Sequence, residues 1–162
     1  MPRAIQSIVI VIVTTMLSAA STASTHAQQK PAASGAGEAC SLLSQQDAAT
    51  ALGEAVTGPR ATAGPSMGGT SACEYSGSGI HKVNLNVMHL TPDMAAMYKA
   101  LCGQKTKDGL TGLGDVACWY NEKHEELQVL KAGTFFSIEL RKSGNPTEAI
   151  KGVAKKVYDR VK

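Results

Sequence analysis

CEYSGSGIHKVNLNVMHL, residues 73–90 of this chain, contains two strand patterns joined by a short turn. The turn is the Ser/Gly-rich segment 76–79, and the returning strand places Val83, Leu85 and Val87 on one face, alternating with polar residues. Because successive side chains of a strand point to opposite faces, this alternation predicts an antiparallel hairpin with one buried face and one solvent-exposed face.

Two helices are predicted on either side of this hairpin. Ser44, followed three residues later by Asp47, has the spacing of a capping box, so we expect a short helix over residues 45–52 that ends at Gly53. A second helix begins with Thr-Pro and covers residues 91–102, since threonine caps helices and proline fits their first turn. Its apolar residues recur at helical spacing and are Met94, Met97, Tyr98 and Leu101.

The C-terminal segment carries the clearest helical pattern. Asn145 as the cap, Pro146 at the first position and Glu148 as the partner in a capping box mark its start. One apolar stripe follows, made of Ile150, Val153, Ala154, Val157 and Val161. The helix should pack along the sheet through this stripe.

Three further strands are expected over residues 116–121, 127–131 and 134–142. Residues 57–70 are rich in Gly and Pro, so we expect a loop there that can hold a short edge strand. Together these elements predict an α+β fold with an antiparallel sheet of about five strands and three helices packed mainly on one face. They form a single domain over residues 39–162.

The N-terminal segment has the order of a secretory signal peptide. A positive residue precedes an aliphatic run over residues 8–13, and a small, polar stretch follows it. We expect residues 1–27 to be removed by cleavage after Ala27, with cleavage after Ala23 as the alternative. The apolar run is shorter than the roughly 20 residues that span a bilayer, so we expect no stable membrane anchor after cleavage. Residues 28–38 should then form a flexible tail on a periplasmic or secreted protein.

The four cysteines form an even set in a small exported domain, which is typical of a disulfide framework; they are Cys40, Cys73, Cys102 and Cys118. The favoured pairs are Cys40–Cys73 and Cys102–Cys118, because each would join a helix end to a strand. The other two connectivities stay open. No Cys-x-x-Cys spacing is present, so a redox or zinc role is disfavoured.

The charge balance and the motifs of the chain give little support for nucleic-acid binding, metal binding or catalysis. Loss of the signal peptide leaves 15 basic against 13 acidic residues, a balance that argues against nucleic-acid binding. His81 and His89 lie roughly 26 Å apart along one strand and cannot share a metal ion, and His124 lies in a predicted turn. A G-x-S-x-G string is present at residues 64–68, but it lies in the Gly- and Pro-rich segment expected to be a loop and not in the strand–turn–helix setting of a nucleophile elbow. We therefore predict no catalytic residues, cofactor or metal ligands; a histidine buried beside a carboxylate would favour a hydrolase.

Aromatic residues provide the candidate binding surface. Cys73-Glu-Tyr75 and Cys118-Trp-Tyr120 each begin a hairpin that leads toward a proline-started helix, and Phe135 follows on a later strand. If the two hairpins are a repeat, each tyrosine lies on the same strand face as its cysteine. The surface that we predict is made of Trp119, Phe135, Tyr75 and Tyr120, although Trp119 fits a core position as well.

Four segments carry a resemblance to known proteins. They are CSLL at 40–43 with the helix that follows, Cys-x-Tyr at 73–75, Gly-Leu-Gly-Asp at 112–115, and the terminal amphipathic helix. Together they resemble small secreted domains of unknown function that are common in bacterial envelope proteins and lipoproteins. The resemblance covers residues 39–161 and implies an α+β fold without an agreed activity. This chain lacks the lipidated cysteine of the lipoprotein members.

The sequence thus predicts an exported, disulfide-stapled, non-enzymatic binding or accessory domain of the cell envelope. We expect it to contact an envelope protein or polymer through the exposed sheet face or the loop at 57–70. A small-molecule-binding protein is the alternative, and a hydrolase with an unrecognised site is a less favoured one.

Overall fold

The structure is a computed structural model that describes residues 37–63, 70–105 and 110–162. The expected signal peptide and most of the expected tail lie outside these residues. Within them the chain forms four helices, which are α1 Gly37–Leu42, α2 Gln45–Leu52, α3 Pro92–Gly103 and α4 Thr147–Arg160. It also forms six strands, which are β1 Thr57–Ala63, β2 Ser71–Ser76, β3 Lys82–His89, β4 Val116–Trp119, β5 Glu126–Lys131 and β6 Thr134–Arg141.

All six strands belong to one antiparallel sheet with the order β1-β2-β3-β6-β5-β4. The expected hairpin is present as β2 and β3, and the last strand of the chain, β6, lies beside β3 at the centre. Apolar residues face each other across this central pair and are fully buried; the pairs are Val83–Leu140, Leu85–Ile138 and Val87–Phe136. The α+β fold with an antiparallel sheet is therefore confirmed.

Helices α1, α2 and α4 cover the apolar face of the sheet. The predicted stripe of α4 is buried from Ile150 to Val161 in the main core. The predicted capping box of this helix is wrong, because the helix begins at Thr147 with Pro146 as its N-cap. The Thr147 N–H donates to Asn145 Oδ1 at 2.9 Å, whereas Glu148 is exposed and pairs with Lys151.

Asp47 joins the start of α2 to the end of α4. Its carboxylate accepts hydrogen bonds from the Ser44 hydroxyl at 2.6 Å and from Arg160 Nη1 at 2.6 Å, and it pairs with Lys156 Nζ at 2.8 Å. Burial alone would raise the pKa of Asp47, but the bonds from Lys156, Ser44 and Arg160 together hold it well below its ordinary value. Arg160 also donates to the Leu42 carbonyl at 2.7 Å, so one cluster fastens α1, α2 and α4.

Helix α3 lies on the opposite face of the sheet from the other helices. It is bonded through Cys102 to Cys118, whose strand neighbour Trp119 points into the main core. The Tyr98 ring packs edge-on against Phe135 with 4.9 Å between ring centroids. The helix touches the sheet along one side only, since Met97 is 60% exposed. The predicted helices therefore lie mainly on one face, and α3 is the exception.

The counts of five strands and three helices are also corrected. Strand β1 lies inside the expected loop at 57–70, and its register shifts between Thr57 and Arg60, which accommodates the Gly-Pro sequence at the sheet edge. Helix α1 extends into the expected tail. It is too short to form alone, and it is held by the Cys40 disulfide and by the Ala39 N–H, which donates to Ser71 Oγ at 3.1 Å.

Two disulfides tie the helices to the sheet. Cys40 is bonded to Cys73 and Cys102 to Cys118, which is the pairing that the sequence favours. The first joins α1 to β2 and the second joins α3 to β4, so each face of the sheet carries one crosslink. None of the helices in the described residues combines the length and apolarity that crossing a bilayer requires.

Candidate functional site

The candidate site is the polar face of the sheet over β2, β3 and β6, which we call the open face. Its side chains alternate with the buried residues of the same strands, so they point away from α1, α2 and α4. They are Glu74, Lys82, Asn84, Asn86, Ser137, Glu139 and Arg141. Helix α3 lies on the same side of the sheet, where it packs against β4 and contacts β6 through Tyr98 and Phe135.

Cross-strand polar contacts order the open face. Asn84 Nδ2 donates to Glu139 Oε2 at 3.4 Å, and Asn86 Nδ2 donates to Ser137 Oγ at 3.3 Å. Glu139 also accepts from Arg141 Nε at 2.6 Å. Because amide side chains carry two donors and an acceptor, the two asparagines retain hydrogen-bonding capacity after these contacts.

The face contains an open depression of about 390 Å³ between β1 and β6. Arg60, Glu74 and Glu139 bring charge to its lining, and Asn84 and Asn86 bring neutral amides. Glu74 pairs with Lys82 at 3.1 Å. Arg60 is exposed and forms no ion pair with any residue that the structure describes. The lining of the depression thus carries charges of both signs together with neutral hydrogen-bond donors and acceptors, and it exposes little apolar surface.

The four aromatic residues expected to form a binding surface are dispersed. Trp119 is 1% exposed and Tyr75 is 3% exposed, so both are core residues. The Tyr75 hydroxyl donates to the Leu43 carbonyl at 3.0 Å, which explains how a phenol is buried there. Tyr120 follows the end of β4 and lies under Lys105, whose Nζ is 4.3 Å from the ring centroid. Phe135 alone lies on the same side of the sheet as the open face, where it contacts α3.

The three histidines that the structure describes occupy separate places. His124 stacks on Trp119 with 4.6 Å between ring centroids, and its positive φ of 56° fits the expected turn. His89 is exposed and contacts Glu38. His81 Nδ1 lies 2.7 Å from Glu54 Oε1, a contact that the sequence analysis missed because 27 residues separate the two. The described residues contain no group of three or more His, Cys, Asp or Glu side chains placed to hold a metal ion.

Comparisons with known proteins identify no relative. No family model, no curated protein and no solved structure matches this chain.

Proposed function

We propose that this chain is an exported, disulfide-stapled binding domain of the cell envelope, and that its open face contacts an envelope protein or polymer. The two disulfides are compatible with an oxidising compartment such as the periplasm or the exterior of the cell. The observation that carries the proposal is the placement of Asn84 and Asn86 on a central strand, half-buried and facing away from the core.

Asparagine is depleted in strands, where threonine or valine is preferred. Asn84 and Asn86 therefore lower the strand propensity of β3, although β3 is one of the two central strands of the sheet. Their amides point into the depression together with the carboxylate of Glu139. A partner rich in hydrogen-bonding groups, such as a polysaccharide or an extended peptide, would use these amides as paired donors and acceptors.

A blocking substitution tests the open face. Asn86→Lys places a longer, charged side chain in the depression, and we expect it to lower retention on an immobilised envelope fraction at least tenfold. Lys155→Glu changes charge on the outer side of α4 and serves as the matched control, with unchanged retention expected. Melting curves of both variants should match the wild type within a few degrees. Equal retention of the wild type and Asn86→Lys would contradict the proposal.

Export is tested separately by the intact mass of the secreted protein without reductant. A chain that begins at Gln28 and is four hydrogens lighter than its reduced form is the expected result. A retained N-terminal segment would contradict signal cleavage.

A small-molecule ligand is the second candidate, and the volume of the depression favours it, since ligand sites typically occupy about 300–1,000 Å³. Its polar lining favours a sugar or another polyol over an apolar ligand. Native mass spectrometry of the exported protein tests this candidate, because a bound molecule adds mass that is lost on denaturation.

A further inference from the structure

Three loops meet at one edge of the domain and bring Glu54, His81 and Ser143 together. Glu54 follows α2, His81 precedes β3 and Ser143 follows β6. His81 Nδ1 lies 2.7 Å from Glu54 Oε1, and His81 Nε2 lies 3.2 Å from Ser143 Oγ. A hydroxyl, an imidazole and a carboxylate thus lie in the order that nucleophilic acyl transfer uses.

The contacts of the ring fix its tautomer. A carboxylate only accepts hydrogen bonds, so the proton of neutral His81 lies on Nδ1 and donates to Glu54. Nε2 then carries the one accepting lone pair of the ring, which the Ser143 hydroxyl at 3.2 Å shares with the Ser143 N–H at 3.3 Å. This leaves Nε2 placed to accept a proton from Ser143 Oγ, as a general base must.

Glu54 is held as the anion by its surroundings. The Ser78 hydroxyl donates to its Oε2 at 2.6 Å and the Ser78 N–H donates to Oε1 at 3.1 Å. The bond from the Ser78 hydroxyl, followed by the bond from His81, lowers the pKa of Glu54 to about 2. A Cβ at Gly77 would overlap the Glu54 carboxylate, so the glycine gives the acid room to approach this turn.

A depression of about 310 Å³ lies next to the segment that carries Ser143, although Ser143 itself is not part of its lining. Lys142 and Gly144, the chain neighbours of Ser143, do line it. The other lining residues are the apolar Ile80, Leu140 and Pro146 and the charged Glu125, Glu139 and Arg141. Ser143 itself is exposed, and Ile80 next to His81 is 81% exposed.

A second group of a histidine, a carboxylate and a hydroxyl is present at His89, but its hydroxyl is not accessible to solvent. His89 lies 3.0 Å from Glu38 Oε1 and 3.2 Å from Thr134 Oγ1, but Thr134 is only 5% exposed. The His89 side chain is 62% exposed, so solvent rather than protein surrounds most of the ring. Only the cluster at Ser143 combines a reachable hydroxyl with a depression next to it.

We propose that Ser143, His81 and Glu54 form a nucleophilic site that hydrolyses small carboxylic esters. Ser143 Oγ attacks the ester carbonyl carbon while its proton passes to His81 Nε2. The carbon–oxygen bond to the alcohol breaks, and the alcohol takes that proton. Water then attacks the acyl-serine through the same base, which releases the acid and restores the Ser143 hydroxyl. Glu54 positions the ring and does not touch the substrate.

This activity goes beyond the proposed binding role. Its reacting groups lie outside the open face, although Glu139 and Arg141 of the open face also line the depression next to Ser143. The test is labelling of the folded protein with an alkyl fluorophosphonate, in which Ser143 Oγ displaces fluoride from phosphorus. Intact mass should show one phosphonyl group per chain, and peptide mapping should place it on Ser143. Ser143→Ala should abolish labelling, whereas Ser41→Ala, at another exposed serine, should not.

The histidine and the carboxylate are tested by rates. His81→Gln should slow labelling at least about 100-fold, which is the contribution typical of a general base, and His89→Gln is the matched control with an unchanged rate. Glu54→Gln should lower the rate and Glu54→Asp should recover part of it, since a carboxylate orients the Nδ1–H of the ring better than an amide does. Absence of the adduct on Ser143 in the wild type, or labelling of His81→Gln at the wild-type rate, would overturn the proposal. The cluster would then have only a structural role, in holding three loops together.

Discussion

Asp47→Asn is the substitution whose effect follows most directly from the structure. Asp47 is 5% exposed, and its carboxylate pairs with Lys156 and Arg160, whose side chains are 44% and 39% exposed. Breaking a fully buried ion pair costs about 3–5 kcal/mol, but here water can solvate the cations that are left behind. We therefore expect the free energy of unfolding to fall by about 2–3 kcal/mol at pH 7, which lowers Tm by about 8–12 °C in a domain of this size.

The pH dependence of that loss identifies the charge as its cause. The folded pKa of Asp47 lies below the value of about 3.9 in an unfolded chain, so the carboxylate stabilises the fold above that pH. Its contribution decreases as the pH falls through the two values. From pH 7 to pH 3 the loss for one such group is about 1.3 kcal/mol. Asparagine does not titrate, so the stability difference between wild type and Asp47→Asn should shrink by this amount.

Urea unfolding at pH 7 and pH 3 measures this difference, with the fluorescence of the single, buried Trp119 as the signal. Asp159→Asn is the matched control, because Asp159 forms an exposed pair with Lys155 and should contribute less than about 0.5 kcal/mol. A difference for Asp47→Asn that stays constant between the two pH values would refute the electrostatic argument.

Three further outcomes are expected. Reduction of both disulfides should cost about 3–4 kcal/mol per bond and lower Tm by more than about 10 °C, so an unchanged melting curve in reductant would contradict the crosslinking argument. Gly114→Ala should lower the free energy of unfolding by about 2–4 kcal/mol, since φ is 68° and the new Cβ would overlap the Leu130 carbonyl oxygen. Gly112→Ala has a similar φ but open space around the new Cβ, so urea unfolding should show a clearly smaller loss for it. Met97→Gln should change stability by less than about 0.5 kcal/mol, whereas Val153→Ala should cost about 2 kcal/mol, and equal effects in thermal unfolding would argue against an outward-facing side of α3.

The elements that the sequence predicts well are those in which local pattern and tertiary packing agree. The alternation around Leu85 survives because β3 is buried on one face only, and Ser44 caps α2 because its partner Asp47 lies in the same turn. Helix α1 and strand β1 have no such local signal. The first depends on contacts to Ser71 and Arg160, and the second pairs with β2 in spite of its Gly-Pro sequence.

The candidate sites were harder to predict because both depend on register between distant segments. Phe135 and Trp119 look alike in the sequence, yet they lie on strands whose pleats direct them to opposite sides of the sheet. Asn84 and Asn86 did carry a signal, namely two poor strand formers inside a strand pattern. The cluster of Glu54, His81 and Ser143 carried none, since its members are separated by 27 and 62 residues.

The central position of β6 has a consequence for how the chain assembles. When a chain emerges from its N-terminus, β1, β2 and β3 are available early, but β3 then presents an unpaired edge until β6 arrives some 45 residues later in sequence. The main core is sealed later still, when α4 delivers Arg160 to Asp47. Until β6 and α4 have formed, β1, β2 and β3 expose an unpaired strand edge and an apolar face, which favours association with other chains.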